Sequence, residues 1–172
     1  VLQTLEVLKK KKFSIEKDKV KKALMNVSKL TGLRGRFEIL SEKPLTICDT
    51  GHNAEGISEV MEMLSKIIPI AIGNKKLHVV FGVVNDKDPS KILKLLPKKN
   101  AIYYFTKAAI PRALNENELK KLATKEKLKG KSFPTVKEAL HAAKKDASKE
   151  DLIFIGGSTF IVADALMLNN FS

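Results

Sequence analysis

Leu45-Thr46-Ile47-Cys48-Asp49-Thr50-Gly51-His52-Asn53 decides the fold. A short apolar run ends in a polar knot, and a helix pattern begins at once, with Ile57, Val60, Met61, Leu64 and Ile68 on one stripe. Open α/β sheets place their ligands outside the carboxyl ends of the strands, where a loop of Asp, His and Asn would stand here. Asp49 has two readings: an acceptor for a ribose hydroxyl pair, or a carboxylate stabilised by the dipole of the following helix. His52 is either a ligand for carboxylate or phosphate, or a capping residue. Cys48 is a small buried residue at the strand end.

Working outward, residues 37–40 form a strand and 41–44 a turn, so a hairpin leads into the Asp49 loop. Residues 77–84 are a continuous apolar strand interrupted only by His78 and Gly82, as expected of a parallel strand buried on both faces. A helix through Ile92, Leu93, Leu95 and Leu96 ends at Pro97. Then come a strand at 101–105, a helix near 115–127, a short strand near Ser132 and Phe133, and a helix capped by Thr135 that runs to Ala147. A last strand at 152–155 turns through Gly156-Gly157-Ser158-Thr159 into a final helix. This alternation predicts a Rossmann-like α/β fold: a mostly parallel sheet with helices on both faces and an antiparallel edge hairpin.

Residues 1–31 read as two helices. Leu2, Leu5 and Leu8 share a face in the first; Ser14 caps the second, which carries Val20, Ala23, Leu24, Val27 and Leu30, and Gly32 stops it. The period changes after Gly35, so residues 1–32 are expected to be a helical tail and linker from an upstream domain, and 33–172 a domain of their own. The chain opens on Val, and a fragment with chemistry upstream is expected.

The net charge of +13 invites a nucleic-acid reading. Against it, all but three of the 32 basic residues are Lys, spread over most polar faces, and there are two Tyr and no Trp to stack on bases. A nucleic-acid partner is therefore not expected. Arg34, Arg36 and Arg112 stand beside Gly or Pro, where a guanidinium fork could grip phosphate or carboxylate, or simply face solvent. One cysteine forms no internal disulfide, no apolar run nears the ~18 residues of a membrane span, and no signal-peptide pattern opens the chain. A cytoplasmic protein is the expectation.

Four loops follow strands: 49–53, 85–89, 106–112 and 156–158. In a parallel sheet they emerge at one edge and can surround one ligand. Gly156-Gly157-Ser158-Thr159 suits anion binding by backbone N–H groups, but neither GxGxxG nor GxxxxGK[ST] occurs. Lys87 and Asp88, in Asn-Asp-Lys-Asp, are a solvated turn or part of the site. His78 belongs in or beside the core and His141 on a helix, neither with a partner at metal-ligand spacing, so no zinc site is expected.

Read in order, Leu33-Arg34-Gly35-Arg36-Phe37-Glu38, Asp49-Thr50-Gly51-His52-Asn53, Gly82-Val83-Val84-Asn85-Asp86-Lys87-Asp88, Pro111-Arg112-Ala113 and Gly157-Ser158-Thr159-Phe160 resemble the motifs of the C-terminal domain of folylpolyglutamate synthase, often bifunctional with dihydrofolate synthase in bacteria. That domain is shared by the Mur ligases. The resemblance implies an ATP-dependent amide ligase in which a substrate carboxylate is phosphorylated and L-glutamate attacks the acyl phosphate. It implies ATP and Mg²⁺ held mainly by upstream domains, folate or dihydropteroate as the acceptor, and the two leading helices as the end of a central ATPase domain. The 172-residue chain alone would then be catalytically silent, and a monomer is expected.

By the same resemblance, Arg36 and Asp49 match nucleotide-contacting positions. Asp49, His52, Ser158 and Phe160 match positions that hold glutamate, with His52 and Ser158 nearest the reacting centre. Phe160 stands where many members have Tyr, and Ala54 where Pro is usual. Asn53, Lys87, Asp88 and Arg112 match motif positions without an assigned role. A cell-wall amino-acid ligase of the Mur type and a non-catalytic basic nucleic-acid-binding module are the alternatives.

Overall fold

A computed structural model describes residues 1–67, 75–86 and 88–168. Ile68, expected on the stripe of the first domain helix, and Lys87 lie outside the described residues. The chain divides into two compact units, Val1–Arg34 and Gly35–Ser172. Among the described residues no helix is long and apolar enough to cross a membrane.

The first unit holds three helices, not two: α1 Leu2–Lys10, α2 Lys17–Met25 and α3 Val27–Thr31. The expected second helix breaks at Asn26, whose amide donates to the Lys22 carbonyl at 2.8 Å and so competes with the helix's own hydrogen bonds. Ser14 is not its cap; Glu16 occupies that position without a side-chain hydrogen bond. Gly32 ends α3 in the left-handed region at φ +69°.

The second unit is a six-stranded sheet in the order β1-β2-β6-β3-β4-β5. Its strands are β1 Glu38–Glu42, β2 Leu45–Cys48, β3 Leu77–Phe81, β4 Ala101–Phe105, β5 Gly130–Ser132 and β6 Leu152–Gly156. Only β1 runs antiparallel, pairing with β2 at the edge. A register shift between Ile39 and Ser41 extends β1 to Glu42, so Ser41 and Glu42 pair with Thr46 and Leu45 rather than turning.

The alternation of side chains sorts the core into two layers. Ile47, Val79, Phe81, Tyr103 and Phe154 pack against Ile57, Val60 and Leu64 of α4 Ala54–Ile67, Leu93 of α5 Ser90–Leu95 and Leu119 of α6 Glu116–Lys125. Cys48, Val80, Tyr104, Ile153 and Ile155 face Ala139, Leu140 and Ala143 of α7 Val136–Asp146 and Ile161 and Ala165 of α8 Thr159–Met167. Thr135 caps α7 as expected, and α6 begins at Glu116 with Asn115 as its cap.

β3 stops at Phe81, short of the expected 84. A Cβ on Gly82 would strike the Thr106 carbonyl and the Ile161 side chain, so the chain leaves the sheet where two neighbours press closest. Val84 then forms an antiparallel bridge with Ala113, which ties the loops after β3 and β4 together.

A partly buried polar network links β3 and β4 to the end of α7. Tyr104 Oη donates to Asp146 Oδ2 at 2.9 Å, so His78 Nδ1, 2.9 Å from the same hydroxyl, carries the ring proton. His78 Nε2 is left without a hydrogen bond, 3.4 Å from Asp151 Oδ2. Burial pushes the His78 pKa down and outweighs the pull of Asp151 toward the charged form. Asp151 accepts from Lys76 N at 2.8 Å and Ser148 N at 2.7 Å. Burial would raise its pKa, but these two backbone donors hold it below the usual carboxylate range.

Both depressions have the same sign for stability: the unfolded chain binds protons that the folded chain refuses. The urea midpoint of the chain should hold from pH 8 to about 6.5, the ordinary His value, and fall as the pH drops further. Asp151→Asn should flatten the acid limb. A midpoint unchanged between pH 7.5 and 5 would refute this account.

Candidate functional site

The polar loops after β2, β3, β4 and β6 all lie at the carboxyl edge of the sheet. Asp49, 7% exposed, organises the first. Its Oδ1 accepts from Gly51 N at 2.7 Å and its Oδ2 from Phe37 N at 2.8 Å, twelve residues back. Thr50 N donates to the Gly35 carbonyl at 2.9 Å, and Gly35 N to Glu38 Oε2 at 2.6 Å. The segment before β1 is thus laced to the loop after β2. Gly35 sits at φ +72°, and a Cβ there would lie 2.9 Å from Val162 Cγ1.

The helix-dipole reading of Asp49 is corrected by this geometry. Asn53, not Asp49, serves the start of α4: its Oδ1 accepts from Gly56 N at 2.9 Å and its carbonyl from Ile57 N at 3.0 Å. Nor does His52 cap the helix. Its Nδ1 lies 3.1 Å from the Thr50 carbonyl, and the exposed ring reaches the next feature.

That feature is a cavity of about 230 Å³ whose walls include His52, Asp86, Asp88, Arg112, Ser158 and Phe160. Ser158 is 3% exposed and caps α8, its Oγ accepting from Phe160 N at 3.2 Å. The hydroxyl proton stays free to donate. Gly157 takes φ +92°, and a Cβ there would lie 2.6 Å from the Gly82 carbonyl, so the turn requires glycine. Arg112 lies with Cζ 4.9 Å from the centroid of the Phe160 ring and Nη1 3.7 Å from Asp86 Oδ2. Asp88 Oδ1 accepts from Ser90 N at 2.9 Å; the Ser90 hydroxyl and this N–H hold its pKa below the ordinary value.

Four loops therefore bring His52, Asp88, Arg112, Ser158 and Phe160 to one cavity. Arg36, exposed between two residues tied to the Asp49 loop, and Asp49 itself do not line the cavity. Asn53 shapes the backbone. Asp86 escaped the sequence reading because nothing in Asn-Asp-Lys-Asp distinguishes it from a solvated turn. The only sequence signal was its place two residues after an apolar strand. Among the described residues no three His, Cys, Asp or Glu side chains form a metal-ligand set.

A family model for the Mur ligase glutamate ligase domain matches residues 35–159. The dihydrofolate synthase/folylpolyglutamate synthase of Escherichia coli K12 is 35% identical over 138 residues, which cover 78% of this chain and 30% of that protein. The structure of a bifunctional folylpolyglutamate synthase/dihydrofolate synthase from Yersinia pestis, complexed with AMPPNP and Mn, aligns with a TM-score of 0.78 at 25% identity, covering 95% of this chain and 37% of that one. Another, with Mn, AMPPNP and L-glutamate bound, aligns at 0.68 with 27% identity, covering 78% and 31%. The chain spans about a third of the length of these proteins.

Asp49→Ala should strand two backbone N–H groups and lower stability by about 3 kcal/mol, read from urea denaturation. Asp49→Asn, which keeps one acceptor oxygen, should cost about half as much. Equal stability of the alanine variant and wild type would show that the carboxylate does not hold the loops.

Proposed function

The chain belongs to the Mur ligase family as its glutamate ligase domain, and from that premise we propose that it is the C-terminal domain of an ATP-dependent ligase that joins L-glutamate to folate or dihydropteroate. Residues 1–32 are then the end of the upstream ATPase domain, with Gly32 as the pivot for closure. The whole enzyme works as a cytoplasmic monomer. The ATP phosphates and Mg²⁺ are held mainly upstream.

The observation that carries this reading is the cavity with His52, Arg112 and Ser158 in its wall. Its volume is about 230 Å³. That suits an amino acid and falls below the ~300–1,000 Å³ of sites that enclose larger ligands. Guanidinium, imidazole and hydroxyl donors suit a dicarboxylate. Arg36 and Asp49, outside the cavity, are left for the nucleotide.

The reaction consumes one ATP. A carboxylate oxygen of the pteroate attacks the γ-phosphorus and ADP leaves. The free amine of glutamate then attacks the acyl carbon, the C–N bond forms as the C–O bond to phosphate breaks, and the nitrogen gives up a proton. This chain's part is to fix the amino acid so that its amine faces the acyl phosphate, which makes the second step effectively intramolecular. Arg112 and His52 hold carboxylate, and the Ser158 hydroxyl donates from a fixed position at the helix cap.

In the full-length enzyme, His52→Ala and Ser158→Ala should each reduce kcat/KM for L-glutamate on the order of 10²-fold, about 2.7 kcal/mol, and leave the KM for ATP near wild type. Arg36→Ala should do the reverse, raising the KM for ATP. Activity with a muramyl substrate and none with pteroates would replace the acceptor. Absence of a GxxxxGK[ST] loop from the full-length sequence would remove the ligase reading.

A further inference from the structure

Asp86 has no role in the ligase reading, yet the fold carries it to the cavity wall with care. Asn85 N donates to the Arg112 carbonyl at 2.9 Å and Leu114 N to the Val83 carbonyl at 3.0 Å, around the Val84 to Ala113 bridge. This short ladder locks the loop after β3 to the loop after β4. Asp86 and Arg112 therefore come from different strands and are set side by side by backbone.

The guanidinium is fixed from two directions. The Phe160 ring lies 4.9 Å from Cζ, and Asp86 Oδ2 lies 3.7 Å from Nη1. The second distance exceeds a hydrogen bond, so the N–H donors of Arg112 are not spent on Asp86. With side chains 56% and 47% exposed, the pair contributes little to stability. Its effect is on where the guanidinium points.

We propose that Asp86 is a positioning residue for glutamate recognition: together with the Phe160 ring it aims the Arg112 guanidinium into the cavity, where the unspent N–H donors take a carboxylate of the incoming amino acid. The inference rests on the ligase reading above. Phe160 serves here as an apolar face, which needs no hydroxyl. A carboxylate, not a neutral group, is required at position 86, because only a charge directs a guanidinium across a gap too long for a hydrogen bond.

The test uses the full-length enzyme with ATP, a pteroate acceptor and varied L-glutamate. Asp86→Ala and Asp86→Asn should raise the KM for L-glutamate about fivefold, the scale of an exposed ion pair, with kcat, the KM for ATP and Tm close to wild type. Asp86→Glu should restore most of the loss. The double variant Asp86→Ala/Arg112→Ala should be no worse than Arg112→Ala alone, since Asp86 acts only through Arg112. An unchanged KM for glutamate in an otherwise active enzyme, or additive losses in the double variant, would overturn the inference and leave the ligase reading standing. A wild-type enzyme that fails to ligate glutamate to any acceptor would sink both.

Discussion

A single carboxylate ties the loop after β2 to the segment before β1. Asp49 accepts one backbone N–H from its own loop and one from the segment that precedes β1. A buried carboxylate satisfied by backbone donors is costly to disturb, because its loss leaves those donors unpaired. The loop that carries His52 and the segment that carries Arg36 are thereby one rigid body, although a hairpin separates them in sequence. A side chain that a nucleotide-binding role would place outward is thus first a structural tie, with one lone pair on each oxygen still available.

The same edge depends on close backbone approach. Gly82 lets β3 leave the sheet where Thr106 and Ile161 crowd it, and Gly157 turns the chain against the Gly82 carbonyl. These exits aim the loops after β3 and β6 at each other instead of continuing the strands. The cavity lies between them, with Ser158 fixed at its wall as the cap of α8. Side chains on such tied loops need little reorganisation on binding.

Polar burial is divided between the two ends of the sheet. His78, Tyr104, Asp146 and Asp151 link β3, β4 and the turn before β6 to the end of α7. That network bears on stability and on its pH dependence. At the other end Asp49 and Ser158 are buried, while His52, Asp86 and Arg112 are exposed. An exposed ion pair such as Arg112 with Asp86 adds little to folding and is therefore free to serve orientation.

The sequence by itself determined the alternation of strands and helices, the edge hairpin, the cap at Thr135, and the loops that carry His52, Arg112 and Ser158. Hydrophobic period, capping chemistry and glycine placement are local properties, written in neighbouring residues. It did not determine the break at Asn26, the exit of β3 at Gly82, the service of Asp49 to Phe37, or the meeting of Asp86 with Arg112 over Phe160. Each of these depends on which strands become neighbours and on how loops from separate strands pack, and only the tertiary structure decides that. Asn53 and Asp49 show the difference in one turn. Both read as polar loop residues, and the fold made one the helix cap and the other the clamp, because only Asp49 lies within reach of the backbone before β1.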